Sequence, residues 1–230
     1  MNETTTITWN HDTRPRAAAV VAGIGLLAMA VIAALANFGV IENLTVAGDP
    51  GATASNLIES AVSFRLAAVG LIVVAILDVV VAWGLYLVLR DVNPSLSLLG
   101  AWFRVVYAAI FAAVINNLFG ALRAAPADPA ETMFLLESFG HGWNIGQVVF
   151  GLHLGIVGVL VWRPGIFSRV LTVLLIIAGV GYLADGLGTL LSPTYALGLS
   201  RFTFVGEVVF ILWLLIRGGK HKDSSVTYDS

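Results

Sequence analysis

Asp78 is the most conspicuous chemical group in the sequence, because it lies about midway between Leu66 and Leu89 of the apolar run Ala61 to Leu89. A short carboxylate at that depth reaches neither surface of a bilayer, so it must be protonated, paired or turned toward water. Arg104 sits about two turns inside the next apolar run, and His153 lies at comparable depth in a later one. A structural ion pair between Asp78 and Arg104 is the leading reading of this midplane layer of Asp78, Arg104 and His153. A proton-carrying site built on Asp78 and His153 is the alternative. Each such residue needs a reason, since an ionisable group near the bilayer centre costs ~2.5–3.5 kcal/mol on insertion scales. Arg65, a turn or so from the end of its run, is explained by snorkelling.

A second set occupies one depth band in the outer half of the apolar runs: Asn116, Asn117, His141, Asn144, Gln147, Asp185 and Glu207. Two readings fit these residues. They are hydrogen-bonding glue between helices, each contact worth ~0.6–2 kcal/mol, or they line an outward-opening cavity for a small solute or for protons. Other chemistries are excluded. With no cysteine, the chain has no disulfide, thiolate nucleophile, iron–sulfur cluster or cysteine zinc site. His141 and His153 share one helix but stand about 18 Å apart along its axis, about 120° apart around it, so they cannot ligate one iron or zinc together. A mixed site of His141, Asp185 and Glu207 stays geometrically open, but no metal or cofactor is expected. No HExxH motif, Ser/His/Asp arrangement or paired protease aspartates appear. A net charge of −2 gives no nucleic-acid footprint.

The elements that must hold these groups are membrane spans. The chain is 58% hydrophobic and 11% charged, with a mean hydropathy of +0.92, whereas soluble domains carry roughly 25% charged residues. The expected fold class is all-α, a polytopic transmembrane helical bundle of about six spans. The spans are placed at about 17–36, 61–89, 97–122, 138–162, 170–191 and 203–216, the last one short. They form one domain, 17–217, between polar tails at 1–16 and 218–230. Residues 37–59 and 123–137 read as loops, with Asp49-Pro50-Gly51 and Asn93-Pro94 as turns. The run 17–36 also fits a signal peptide, but at about 20 residues it exceeds the usual apolar core of one. Arg14, Arg16, Arg90, Arg163, Arg169, Arg217, Lys220 and Lys222 fall on one side of a six-span arrangement. The positive-inside rule then places both termini in the cytoplasm of a multi-pass protein of the cell membrane.

Ser138 to Gly158 reads as the central helix. Asn144, Gln147, Gly151, Gly155 and Gly158 share one stripe, with Gly142, Gly146 and His153 opposite. The apolar arc between them, Ile145, Val149, Leu152, Ile156 and Val159, suits lipid. The small-xxx-small pairs Gly142/Gly146 and Gly151/Gly155 specify close helix contact, within the chain or with a second copy of it.

At Ala82-Trp83-Gly84-Leu85-Tyr86, followed by LVLRDVNPSLSLLGAWFRVVYAAI, the chain resembles a prokaryotic six-span membrane-protein family catalogued only as a domain of unknown function. GLHLGIVGVLVWR and VLLIIAGVGYLADG extend the resemblance over most of the chain from the second span to the sixth. The resemblance implies the fold and supplies no activity, cofactor or catalytic residue. The residues themselves favour a small-solute or proton-linked permease or binding protein over an enzyme. The alternatives are a membrane-embedded enzyme with an outward-facing His/carboxylate site, and a structural or partner-binding protein. The expected partners are the lipid bilayer and a small polar solute or proton, with no nucleic acid.

Overall fold

The computed structural model describes residues 15–162, 166–192 and 194–218. Residues 1–14, 163–165, Pro193 and 219–230 lie outside the described residues. The chain forms α1 (Pro15–Ala36), a π-helical segment (Asn37–Ile41), α2 (Glu42–Leu44), α3 (Pro50–Glu59), α4 (Ala61–Leu89), α5 (Pro94–Ala124), α6 (Pro129–Leu160), α7 (Ile166–Leu191), α8 (Ser200–Thr203) and α9 (Val205–Ile216). Among the described residues there is no strand. Five helical stretches are long and apolar enough to cross a membrane, the first running unbroken from Pro15 to Leu44. The sixth apolar helix, α9, has 12 residues, about 18 Å of rise.

Two segments read as loops are helical. Residues 50–59 form α3, and α6 begins at Pro129 rather than near Ser138. The cause is local. Asp49, Asn93 and Asp128 each precede a proline, and their side chains accept from the backbone N–H of Ala52, Leu96 and Glu131, all at 2.9 Å. An acidic or amide N-cap followed by proline at the first helical position starts a helix as surely as it ends the preceding segment.

The long helices close into a ring. α1 packs on α4, α4 on α5, α5 on α6, α6 on α7, α7 on α9, and α9 returns to α1. Arg16 fastens that last seam: its guanidinium donates to the carbonyls of Leu214 and Gly218, each at 3.0 Å, and to that of Leu215. A cation there complements the C-terminal end of α9. The outside of the ring is apolar, with Ile24, Val62, Ile76, Val106, Val159 and Ile177 among its exposed side chains. Such a surface suits acyl chains and not water.

α6 packs between two neighbours, as its two small-residue stripes require. Cβ atoms built on Gly151 and Gly179 would lie 2.6 Å and 2.7 Å from each other's carbonyl oxygens, so α6 and α7 cross backbone to backbone. On the other flank Gly146 meets the ring of Tyr107, and Gly142 meets Val114. Of the glycines that are candidates for contact with a second copy, Gly142, Gly146 and Gly151 are met by the chain's own α5 and α7, while a Cβ on Gly155 would meet nothing within 4 Å. Gly179→Leu is expected to destabilise the protein by about 1–3 kcal/mol through overpacking, measured as a lower thermal midpoint in detergent. An unchanged midpoint would show that the helices do not cross there.

One half of the ring interior is filled. Near the short connections at 90–94 and 162–166, Val81, Leu160, Leu171, Leu175 and Leu214 are fully buried and close that end.

Candidate functional site

The other half of the ring encloses a cavity of about 790 Å³. Every long helix contributes to its lining: Met29 from α1, Asp78 from α4, Tyr107 from α5, Gln147 from α6, Tyr182 from α7 and Glu207 from α9. Along the first helical stretch the lining runs from Leu26 to Glu42, a length of about 24 Å. Asn37, Glu42 and Ser200 stand at the end bearing the longer connections, and Asp78 and Arg104 form the floor.

Asp78, Arg104 and His153 are 0%, 2% and 1% exposed. Arg104 Nη2 lies 2.6 Å from Asp78 Oδ1, and Nη1 lies 3.2 Å from His153 Nε2. His153 Nδ1 is 2.8 Å from the Gly100 carbonyl oxygen. A guanidinium has no acceptor, so Nε2 must accept from Arg104, and Nδ1 carries the proton and donates to Gly100. His153 is therefore the neutral Nδ1–H tautomer. Arg104 bridges it to Asp78. Arg104 also lies over the Phe150 ring, 5.4 Å from its centroid, a cation–π contact that adds to its fixation.

The layer is not self-sufficient. Asp78 Oδ1 meets Arg104 as an ion pair without hydrogen-bond alignment, while Asp78 Oδ2 and Arg104 Nε have no hydrogen-bond partner among the described residues. Buried polar atoms are almost always satisfied, so the floor presents an acceptor and a donor needing water or a ligand.

Above the floor the wall is aromatic. Tyr107 and Phe150 lie 4.9 Å apart between centroids, Phe150 and Tyr182 meet edge-on at 5.2 Å, and Phe139 and Trp143 lie 5.6 Å apart. Tyr182 Oη donates to Glu207 Oε1 at 2.7 Å. Glu207 stands in the first turn of α9, where the helix dipole favours negative charge.

The cavity gathers only part of the outer polar set. Asn144, Gln147 and Glu207 line it; Asn116, Asn117, His141 and Asp185 do not. His141 and Asn116 are exposed. Asp185 lies apart from the cavity and accepts from Tyr195 Oη at 2.8 Å and from the backbone N–H of Leu199 and Ser200 at 2.8 and 2.6 Å. It fixes the start of α8, and it does not meet His141. No three His, Asp or Glu residues among those described converge as metal ligands. Asp185→Ala is expected to cost about 1–2 kcal/mol from the lost cap, read as a lower thermal midpoint; no change would show that the cap is immaterial. The residues sequence reasoning missed are Phe139, Trp143 and Phe150. Their spacing with Gln147 is a helical stripe, and that stripe is the signal that marks them.

An all-α ring of lipid-facing helices around a polar-floored cavity defines a multi-pass integral membrane protein. The chain belongs to the family described as "Domain of unknown function (DUF4386)", which matches residues 21–218 and so spans nearly the whole ring. It is similar to an uncharacterized protein of Archaeoglobus fulgidus, 37% identical over 152 residues, 66% of this chain and 83% of that protein. No solved structure matches it.

Proposed function

We propose that the protein is a small-solute binding protein or permease of the cell membrane, with both termini cytoplasmic and the cavity as its solute site. The observation that carries this reading is Asp78: wholly buried, lining the cavity, and with Oδ2 unpartnered among the described residues. A core that is polar only for packing pairs its buried acceptors, and here an acceptor without a hydrogen-bond partner belongs to a residue of the cavity lining. Ligand pockets of about 300–1,000 Å³ with apolar walls and a few placed polar groups are typical of small-molecule sites. The basic residues near the filled end, Arg16, Arg90, Arg169 and Arg217, support placing that end inside. The cavity is then open outward and closed inward. Proton linkage would run through Glu207 or Asp78, because His153 is held between Arg104 and Gly100. An enzyme built on His141, Asp185 and Glu207 draws no support from their separate positions.

The test is uptake into liposomes. Purified protein screened against panels of sugars, amino acids, amines and organic acids is expected to give saturable uptake or binding of at least one class, abolished in Asp78→Asn. No binding and no flux across all the panels would remove the reading.

A further inference from the structure

We infer that the cavity selects an organic cation: an ammonium-type head held by Glu207 and Asp78, with an apolar body lying on the aromatic wall. This rests on the cavity being a solute site. Among the described side chains, the charged ones lining it are Asp78, Glu207 and Glu42 against Arg104, three acids and one base, a formal balance of −2. Arg104 is already engaged by Asp78, His153 and the Phe150 face, and it makes no direct ion pair with Glu207. Glu207 keeps one oxygen beyond the Tyr182 hydrogen bond, with no cation paired to it among the described residues. An anionic solute would meet Glu207 and, at the floor, an Arg104 already paired with Asp78, with no second base among the described side chains of the lining. A cation would meet carboxylates together with the rings of Tyr107, Trp143 and Tyr182, whose faces attract positive charge. Asp78 adds a buried oxygen, Oδ2, that has no hydrogen-bond partner among the described residues and belongs to a residue of the same lining. A neutral solute would satisfy it by hydrogen bonding but would leave Glu207 uncompensated.

Three probes of similar size separate the possibilities: benzyltrimethylammonium, benzyl alcohol and benzenesulfonate, titrated by calorimetry into the protein in lipid nanodiscs. The expected result is saturable binding of benzyltrimethylammonium at least tenfold tighter than either other probe. Glu207→Gln keeps the shape and the Tyr182 hydrogen bond, and it is expected to weaken the cation about tenfold while leaving benzyl alcohol unchanged. Equal or tighter binding of benzyl alcohol or benzenesulfonate by the native protein overturns the cation assignment and leaves the solute site standing. Failure of all three overturns the cation assignment and counts against the solute site as well. Should Glu207→Gln fail to fold, the ranking of the probes on native protein decides alone.

Discussion

Arg104→Leu is expected to be the most damaging single substitution in the protein, lowering stability by about 3–5 kcal/mol. Removing the guanidinium leaves the Asp78 carboxylate wholly buried with no counter-charge, and it also strips His153 Nε2 of its donor. For a chain of this length about 1 kcal/mol corresponds to about 2–4 °C, so the thermal midpoint in detergent should fall by roughly 10 °C. The double variant Asp78→Leu/Arg104→Leu should recover most of that loss, because replacing a buried pair by apolar groups is often neutral or stabilising. The residual deficit belongs to His153 and to the Phe150 face. Recovery of stability together with loss of solute binding is the expected outcome, and it separates the two roles of the floor. A single variant as stable as the native protein would show that Arg104 is hydrated and not paired.

Ala30→Trp is expected to have the largest effect on binding with little effect on stability. Ala30 lines the cavity from α1 and is not part of the packed core, so an indole there projects into open space and not into a neighbour. Solute binding should fall at least tenfold while the thermal midpoint stays within a few degrees. Undiminished binding would place the solute elsewhere on the molecule. A steep fall in the midpoint would mean that the space is not empty.

Much of this architecture is legible in the sequence. The long helices follow from hydropathy, and the two small-residue stripes of the Ser138–Gly158 stretch correctly give α6 two neighbours. Gly142 and Gly146 face α5 and Gly151 faces α7, while Ile145, Leu152 and Val159 stay exposed. The depth of Asp78 and Arg104 brings them to one layer because both spans have well-marked ends. What depth does not supply is azimuth between helices. Asn116, His141 and Asp185 share a level with Glu207, yet only Glu207 turns inward, since rotation about each helix axis is set by packing partners far away in sequence. Arg16 shows the same limit. Its place as the clasp on α9 depends on the ring closing across some 200 residues of chain. Two helix starts are written in the sequence as caps: Asp49-Pro50, which also fits a turn, and Asp128-Pro129, which lies in a stretch polar enough to fit a loop.

Water and solutes are expected to enter this cavity from the outer side and to stop at the filled end. Because the chain has no cysteine, single cysteines report directly. Gln147→Cys in the wall and Val81→Cys in the filled half can each be challenged in intact cells with a membrane-impermeant thiol reagent. The account expects rapid modification of the Gln147→Cys protein from outside, slowed when Ala30→Trp is added, and no modification of the Val81→Cys protein. If the Gln147→Cys protein is inert, or reacts only after the cytoplasmic face is opened to the reagent, the outward-facing cavity is contradicted.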